Sequence, residues 1–503
     1  MSTLSDLYRE LVEQTSEKLI LQQINSILAW DQHTYMPPKG VIQRAKQKAL
    51  LASLIHKRRT DPKIGKLLQA LQTHSEISTL TEVERRNIEI IDREYRRYSK
   101  VPSELAVKIA QQSPISIQAW ENARREKEYS ILKPEMDKML ELVKERCHYI
   151  NSDLKPIDVI IDEYEPGVTA DYLSSLFTTL KAGLIQLLER IHSSPIKPDL
   201  SIVNRECTLE IQTELSHAVA NVVQYDLERG RIDTSAHPFT NGLWDDVRIT
   251  TRYDPNDFSD SFFAVMHESG HALYNQNLNK GLKYQQVGLP CSGGVHESQS
   301  RFIENIIGRS REFWQYYFPI FQMLTKGIYD DVTLEEFVLA INEVKPSKIR
   351  VKADEVTYSL HVILRFEIER DLLEGKISTV DLPDIWNAKY KEYLGIDFED
   401  DSEGVMQDIH WPAGGFGAFY SYALGNMYSA QILHTMKKQI PNYKEIIEKG
   451  DIKTPIDWLS EYVHQKSNLY DPLTLIEQIT GEPLDPKYYL QYLDEKYTDL
   501  YQL

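Results

Sequence analysis

Residues 262–276 read FFAVMHESGHALYNQ and contain His267-Glu268-Ser269-Gly270-His271, an H-E-x-x-H pattern. On a helix, residues four apart share a face. Both imidazoles can then grip one metal ion through nitrogen at about 2.0–2.1 Å. Glu268 projects beside them, where a carboxylate can take a proton from a water activated by the ion. The chemistry this suggests is metal-assisted hydrolysis of an amide. A catalytic zinc site takes three protein ligands and keeps one position open, so a third donor is required. Residues 292–301, SGGVHESQSR, offer Glu297 after the chain break at Gly293-Gly294, and 295–307 reads as a second helix. His296 is the rival donor, turned about 100° from Glu297. Two plainer readings compete: an amphipathic helix whose histidines bond locally, and a Glu297 that only pairs with Arg301 at i+4.

These residues need a helix to carry them. Asn256-Asp257 supplies an N-cap before Phe258, and Phe262, Phe263, Met266, Leu273 and Tyr274 recur at helical spacing. Gly270 inside that helix costs about 0.5–1 kcal/mol relative to Ala, which implies a close neighbour such as a substrate-edge strand. Just upstream, 247–253 (VRITTRY) gives the best strand signal and is expected to lie along the cleft, pairing with an extended substrate. A second signal is Val159-Ile160-Ile161. Elsewhere helical periodicity dominates: Leu4, Leu7, Leu11, then Ile20, Ile24, Ile27, Leu28. A helix starts at Pro134, and others run over 169–191, 209–223 and 353–373. The expected fold is mainly α, with a small β-sheet beside the active site.

Composition narrows the function. Lys+Arg 57 against Asp+Glu 75 leaves a net charge of −18, which argues against nucleic acid as a partner. Cys147, Cys207 and Cys291 show no C-x-x-C spacing, as in a reducing compartment. The first residues, MSTLSDLYRELVEQ, lack a signal-type apolar run. Residues 411–433 carry no formal charge but are too polar and glycine-broken for a membrane span, and read as a buried helix beside the site. No linker or repeat divides the chain, so 1–503 is expected to be one catalytic domain, cytoplasmic and free of membrane.

Further motifs stand in order along the chain: His237-Pro238-Phe239, Asp246-Val247-Arg248-Ile249-Thr250, the two H-E segments, Ile349-Arg350-Val351-Lys352-Ala353-Asp354, and 404–411, GVMQDIHW. Trp30-Asp31-Gln32, Met36-Pro37-Pro38 and Tyr164-Glu165-Pro166-Gly167 precede them. Together they resemble the thermostable carboxypeptidase Taq family of zinc metallocarboxypeptidases. The resemblance implies the metal ligands His267, His271 and Glu297, with Glu268 as general base. It also implies a compact helical body with a long groove, usually a homodimer, and broad side-chain tolerance with poor release at proline.

The groove residues follow from what the reaction needs. Oxyanion donors are sought in His410 with Tyr422, with Tyr420 as the alternative, since related helical zinc peptidases resemble this His-then-Tyr layout. A free C-terminal carboxylate calls for arginine, first Arg350 and then Arg248. For Arg248 the plainer reading is a pair with Asp246. His237 is assigned to the substrate side, against a structural role beside Pro238. The ligand set suits Zn²⁺, and Co²⁺ or Mn²⁺ fit the same donors. The expected activity is removal of C-terminal residues from peptides with a free C-terminus. The alternatives are an oligopeptidase cutting internally and a non-catalytic peptide-binding protein.

Overall fold

The computed structural model describes residues 3–503. Its N-terminal layer holds α1 (Leu4–Thr34), α2 (Val41–Arg59), α3 (Pro62–Gln72) and α4 (Glu82–Ser99). Capping boxes at Thr3 and Thr81 start α1 and α4, each threonine bonding reciprocally with the acidic residue three positions on. Leu4, Leu11, Ile64, Leu68, Leu71 and Ile91 form a small core of their own, while α2 buries no side chain.

The body begins with α5 (Ser103–Glu126), α6 (Lys133–Ile150), α7 (Pro156–Tyr164), α8 (Ala170–Ser193) and α9 (Leu209–Val222). Here one expectation fails. Val159-Ile160-Ile161 is helical, because Pro156 opens a short helix that buries Ile157, Ile160 and Ile161 at i, i+3 and i+4. A short β-branched run cannot by itself separate strand from buried helix.

Among the described residues one sheet forms, comprising β1 (Ile232–Thr234), β2 (Thr240–Leu243) and β3 (Asp246–Thr251) in the order β1-β3-β2. β1 is parallel to β3 and β2 antiparallel, with Thr240 opposite Ile249. The strand expected in 247–253 is therefore present as β3. It lies in the centre, however, and both its edges are paired, so it offers no edge to a substrate.

After the sheet come α10 (Phe258–Asn277) and α11 (Gly293–Arg301), the latter running into a wide π turn at Phe302–Ile307. Then follow α12 (Arg311–Leu324), α13 (Leu334–Ile341), α14 (Tyr358–Leu373), α15 (Leu382–Leu394) and α16 (Tyr420–Gln439). The chain ends with α17 (Tyr443–Glu448), α18 (Lys453–Tyr462), α19 (Pro472–Thr480) and α20 (Lys487–Tyr501). The helix expected over 353–373 starts only at Tyr358, because the Asp354 carboxylate accepts from the backbone N–H groups of Val356 and Thr357 and holds a turn there. Likewise only the second half of 411–433 is helical. Gly414 and Gly417 take positive φ and keep 411–419 an irregular loop.

One large core spans the body, with α10 set in an aromatic cluster of Phe258, Phe262, Trp314, Tyr317, Phe321 and Phe337. Gly270 does have a close neighbour, but it is the backbone of α11 at Gln299 and Ser300, not a substrate strand. On the other side of α11, a side chain at Gly425 of α16 would sit 2.6 Å from Glu297 Cγ. α10, α11 and α16 thus touch through glycines. No described helix is long and apolar enough to cross a membrane, and all three cysteines are buried and unpaired.

Candidate active site

Asp257 caps α10 by accepting from the backbone N–H groups of Ser259 and Asp260. The helix it starts presents His267 and His271 one turn apart, with ring centroids 4.9 Å from each other. Each ring is aimed from behind. His267 Nδ1 meets Glu304 Oε2 at 2.8 Å, and His271 Nδ1 meets the His296 carbonyl at 3.1 Å. Both Nε2 atoms are left facing one point, the arrangement that fixes tautomer and direction in metal-binding histidines.

Glu297 faces that point from α11. Its Oε2 lies 3.3 Å from His271 Nε2 and 3.8 Å from His267 Nε2, while Oε1 accepts from Arg301 Nε at 2.7 Å. One oxygen of Glu297 thus faces the two imidazoles while the other pairs with Arg301. Burial pushes its carboxyl up, but Arg301 and the two imidazoles outweigh this and keep it well below the usual carboxylate range. His267, His271 and Glu297 form a cluster whose donor atoms all lie within 4.8 Å of one another. Around a tetrahedral ion with bonds near 2.0–2.1 Å, donors stand about 3.3 Å apart, so this set fits such an ion with little movement. His296 is excluded from the cluster: its Nε2 bonds Asn275 Oδ1 at 3.0 Å and its ring stacks on His271.

Glu268 is 6% exposed, and Thr240 Oγ1 of β2 donates to its Oε2 at 2.6 Å. A cleft of about 650 Å³ opens at the cluster, lined by His271, Glu297 and Tyr422 on the body side and by Ile90, Arg93 and Arg97 of α4 opposite. Burial, then the nearby Tyr358, raises the Tyr422 hydroxyl above its ordinary value and keeps it a neutral donor. His410 stands on the loop before α16, its ring 4.6 Å from Phe419 and its Nδ1 without a hydrogen-bond partner. Burial, working against the nearby Asp408, lowers its pKa, so the ring is neutral near pH 7.

The remaining candidates sit less simply. Arg350 is buried, bonded to Asp408 Oδ1 and the Tyr358 hydroxyl, with its guanidinium 5.4 Å from the Tyr422 ring. Arg248 pairs with Asp246 through two bonds and lies over Trp30, which is the plainer reading of that residue. Tyr420 needs correction as the alternative oxyanion donor, and with it as a group that touches substrate. It is fully buried and its hydroxyl donates to the Ile161 carbonyl, so it points into the core. His237 is exposed on the loop between β1 and β2.

Glu304, the carboxylate behind His267, stands outside the motifs that mark the other site residues. Burial pushes it up, yet His267 and Arg301 bring it down to about 2. Its signal was present, since Glu297, Arg301 and Glu304 recur at i, i+4 and i+7 on one helical face. Thr240 and Asn275 also stand outside those motifs, and no local pattern marks either.

A mostly helical body with a two-histidine, one-glutamate donor cluster and a second glutamate beside it defines a helical metallopeptidase. The chain belongs to the carboxypeptidase Taq (M32) metallopeptidase family, whose sequence profile matches residues 10–497. It is 38% identical over 479 residues to Carboxypeptidase 1 of Bacillus subtilis, covering 95% of each chain. To Thermostable carboxypeptidase 1 of Thermus thermophilus it is 38% identical over 505 residues, covering 98% of this chain and 99% of the other. The crystal structure of an M32 carboxypeptidase from Deinococcus radiodurans superposes with a TM-score of 0.95 at 35% identity, covering 99% of this chain and all of that one. The protein is accordingly a metallocarboxypeptidase, a hydrolase of peptides.

Proposed function

We propose that this metallocarboxypeptidase is Zn²⁺-dependent and releases residues one at a time from peptide C-termini, with broad side-chain tolerance and poor release at proline. The observation that carries the reading is the cluster of His267, His271 and Glu297 beside the buried Glu268. A divalent ion held by those three residues would polarise the scissile carbonyl and acidify the attacking water. Glu268 takes the proton from that water and returns it to the leaving amine, one carboxylate serving both steps. Tyr422, kept neutral in the cleft wall, and the neutral ring of His410 donate to the developing oxyanion. Arg350 receives the C-terminal carboxylate with the N–H groups that Asp408 and Tyr358 leave free. Arg248 and His237 flank the approach.

The chain works as one domain, 1–503, in a cytoplasmic homodimer. Ile20, Ile24 and Ile27 of α1 with Ile42 and Leu50 of α2 are exposed apolar residues that a second copy would cover. Mass spectrometry of a peptide digest, with and without chelator, tests the activity. We expect a ladder losing single C-terminal residues that stops when metal is removed. Cleavage of a C-terminally amidated peptide at internal bonds, undiminished, would replace this reading with that of an oligopeptidase. Glu268→Gln should retain metal and lose turnover by roughly 10²–10⁴-fold.

A further inference from the structure

We infer that Thr240 is a positioning residue for Glu268, and that Thr250 holds Thr240 in place for that task; the inference rests on Glu268 being the base. Thr240 opens β2, an edge strand, and its hydroxyl reaches across to α10. Oγ1 donates to Glu268 Oε2 at 2.6 Å and lies 2.9 Å from the Glu268 backbone carbonyl. This hydroxyl therefore ties the side chain of Glu268 to the sheet, with the shorter contact taking its one proton. The carboxylate's other oxygen, Oε1, makes no hydrogen bond among the described residues, which leaves it free to face water. A Glu side chain has three rotatable bonds, and productive proton transfer needs an approach within about 2.6–3.2 Å. Fixing one oxygen removes most of that freedom before the substrate arrives.

What holds Thr240 is equally specific. Phe239, the residue before it, is clamped at both backbone groups by Thr250 of β3. Phe239 N–H donates to Thr250 Oγ1 at 3.0 Å, and Thr250 N–H donates to the Phe239 carbonyl at 3.0 Å. Ser235 Oγ closes the loop with a 2.7 Å bond to the same Thr250 oxygen. Thr250 is fully buried, and β2–β3 pairing sets Thr240 opposite Ile249. The H-P-F segment and the final threonine of D-x-R-x-T thus meet in one device. Thr250 locks Phe239, Phe239 sets the start of β2, and Thr240 aims the base.

A hydrogen bond to a charged group is worth enough to move a rate by roughly 10–100-fold when it is lost. Thr240→Val, isosteric and without the donor, should lower kcat by about that factor while KM and bound metal stay near wild type. Thr240→Ser restores the hydroxyl and should recover most of the loss. Thr250→Val should lower kcat in the same sense by less, through Phe239. Glu268→Gln is measured in parallel with metal content. If Glu268→Gln is inactive but Thr240→Val keeps the wild-type kcat, the positioning role is wrong while the base stands. If serine is as poor as valine, or if metal is lost with kcat, Thr240 acts on the fold and the inference falls. If Glu268→Gln turns over, the base assignment falls first and takes this inference with it.

Discussion

On the body side of the cleft, α10, α11 and α16 meet through Gly270 and Gly425, and each side chain of the His267, His271 and Glu297 cluster has a partner behind it. Across the cleft, α4 is fastened by charge. Arg86 and Arg93 both reach Asp471, and Arg97 reaches Asp162. The N-terminal layer to which α4 belongs keeps a separate apolar core. The difference follows from what each wall must do. Donor atoms around an ion have to stand within a few tenths of an ångström of their places, and backbone-to-backbone helix packing fixes them. A wall that meets many side chains gains from contacts that rearrange cheaply, and partly exposed ion pairs are worth only about 0–1 kcal/mol each.

The largest effect is expected behind the histidines. Glu304→Gln keeps the shape but weakens the acceptor that orients His267. Metal affinity measured by chelator competition should fall about 10–100-fold. Unchanged affinity would mean that the rigid wall does not depend on its backing groups.

A second test concerns the loop before α16, which carries His410. Glu369 of α14 is fully buried beneath it and accepts from Trp411 Nε1 at 2.6 Å and from the Gly417 N–H. Burial pushes its carboxyl up to about 8, against the lowering effect of those donors. A group raised in the fold binds a proton that the unfolded chain has already lost. Its contribution is therefore full below about pH 4.5 and is lost as pH rises toward 8. Glu369→Gln should leave stability near pH 4.5 almost unchanged and raise it near pH 8 by at least ~1 kcal/mol. Thermal melts across that range check the slope, and parallel profiles for both proteins would show that Glu369 is ionised in the fold.

How much of this was legible in the sequence depends on how local each signal is. His267 and His271 stand four residues apart on one helix, so their spacing alone put both on one face, with Glu268 projecting beside them. Glu297 could be proposed because Gly293-Gly294 marked a new helix start. By contrast, Tyr420 and Tyr422 differ by a step of about 200° on α16, and nothing in FYSYALGN says which one faces the cleft. The helix begins at Tyr420, and that start sets the phase. Val159-Ile160-Ile161 was misread for a related reason: β-branched residues favour strands, but packing at helical spacing overrode the preference. Thr240 and Glu304 act through contacts spanning 28 and 37 positions, which local periodicity cannot register.

The smallest predicted effect sharpens the contrast most. Asp471 is partly exposed and accepts from Arg86 Nη2 at 2.6 Å and Arg93 at 3.1 Å. Asp471→Asn keeps an acceptor oxygen and removes the charge both arginines share. Arg86 keeps Glu89 and the Asn468 carbonyl, and Arg93, partly exposed, turns to water. Stability should fall by at most about 1 kcal/mol. Wild-type stability should fall with added salt, and the variant should fall less, because the screened interaction is already gone. Metal affinity must not move, since no helix of the donor cluster carries Asp471. A loss of metal alongside the loss of stability would show that the two walls are one mechanical unit.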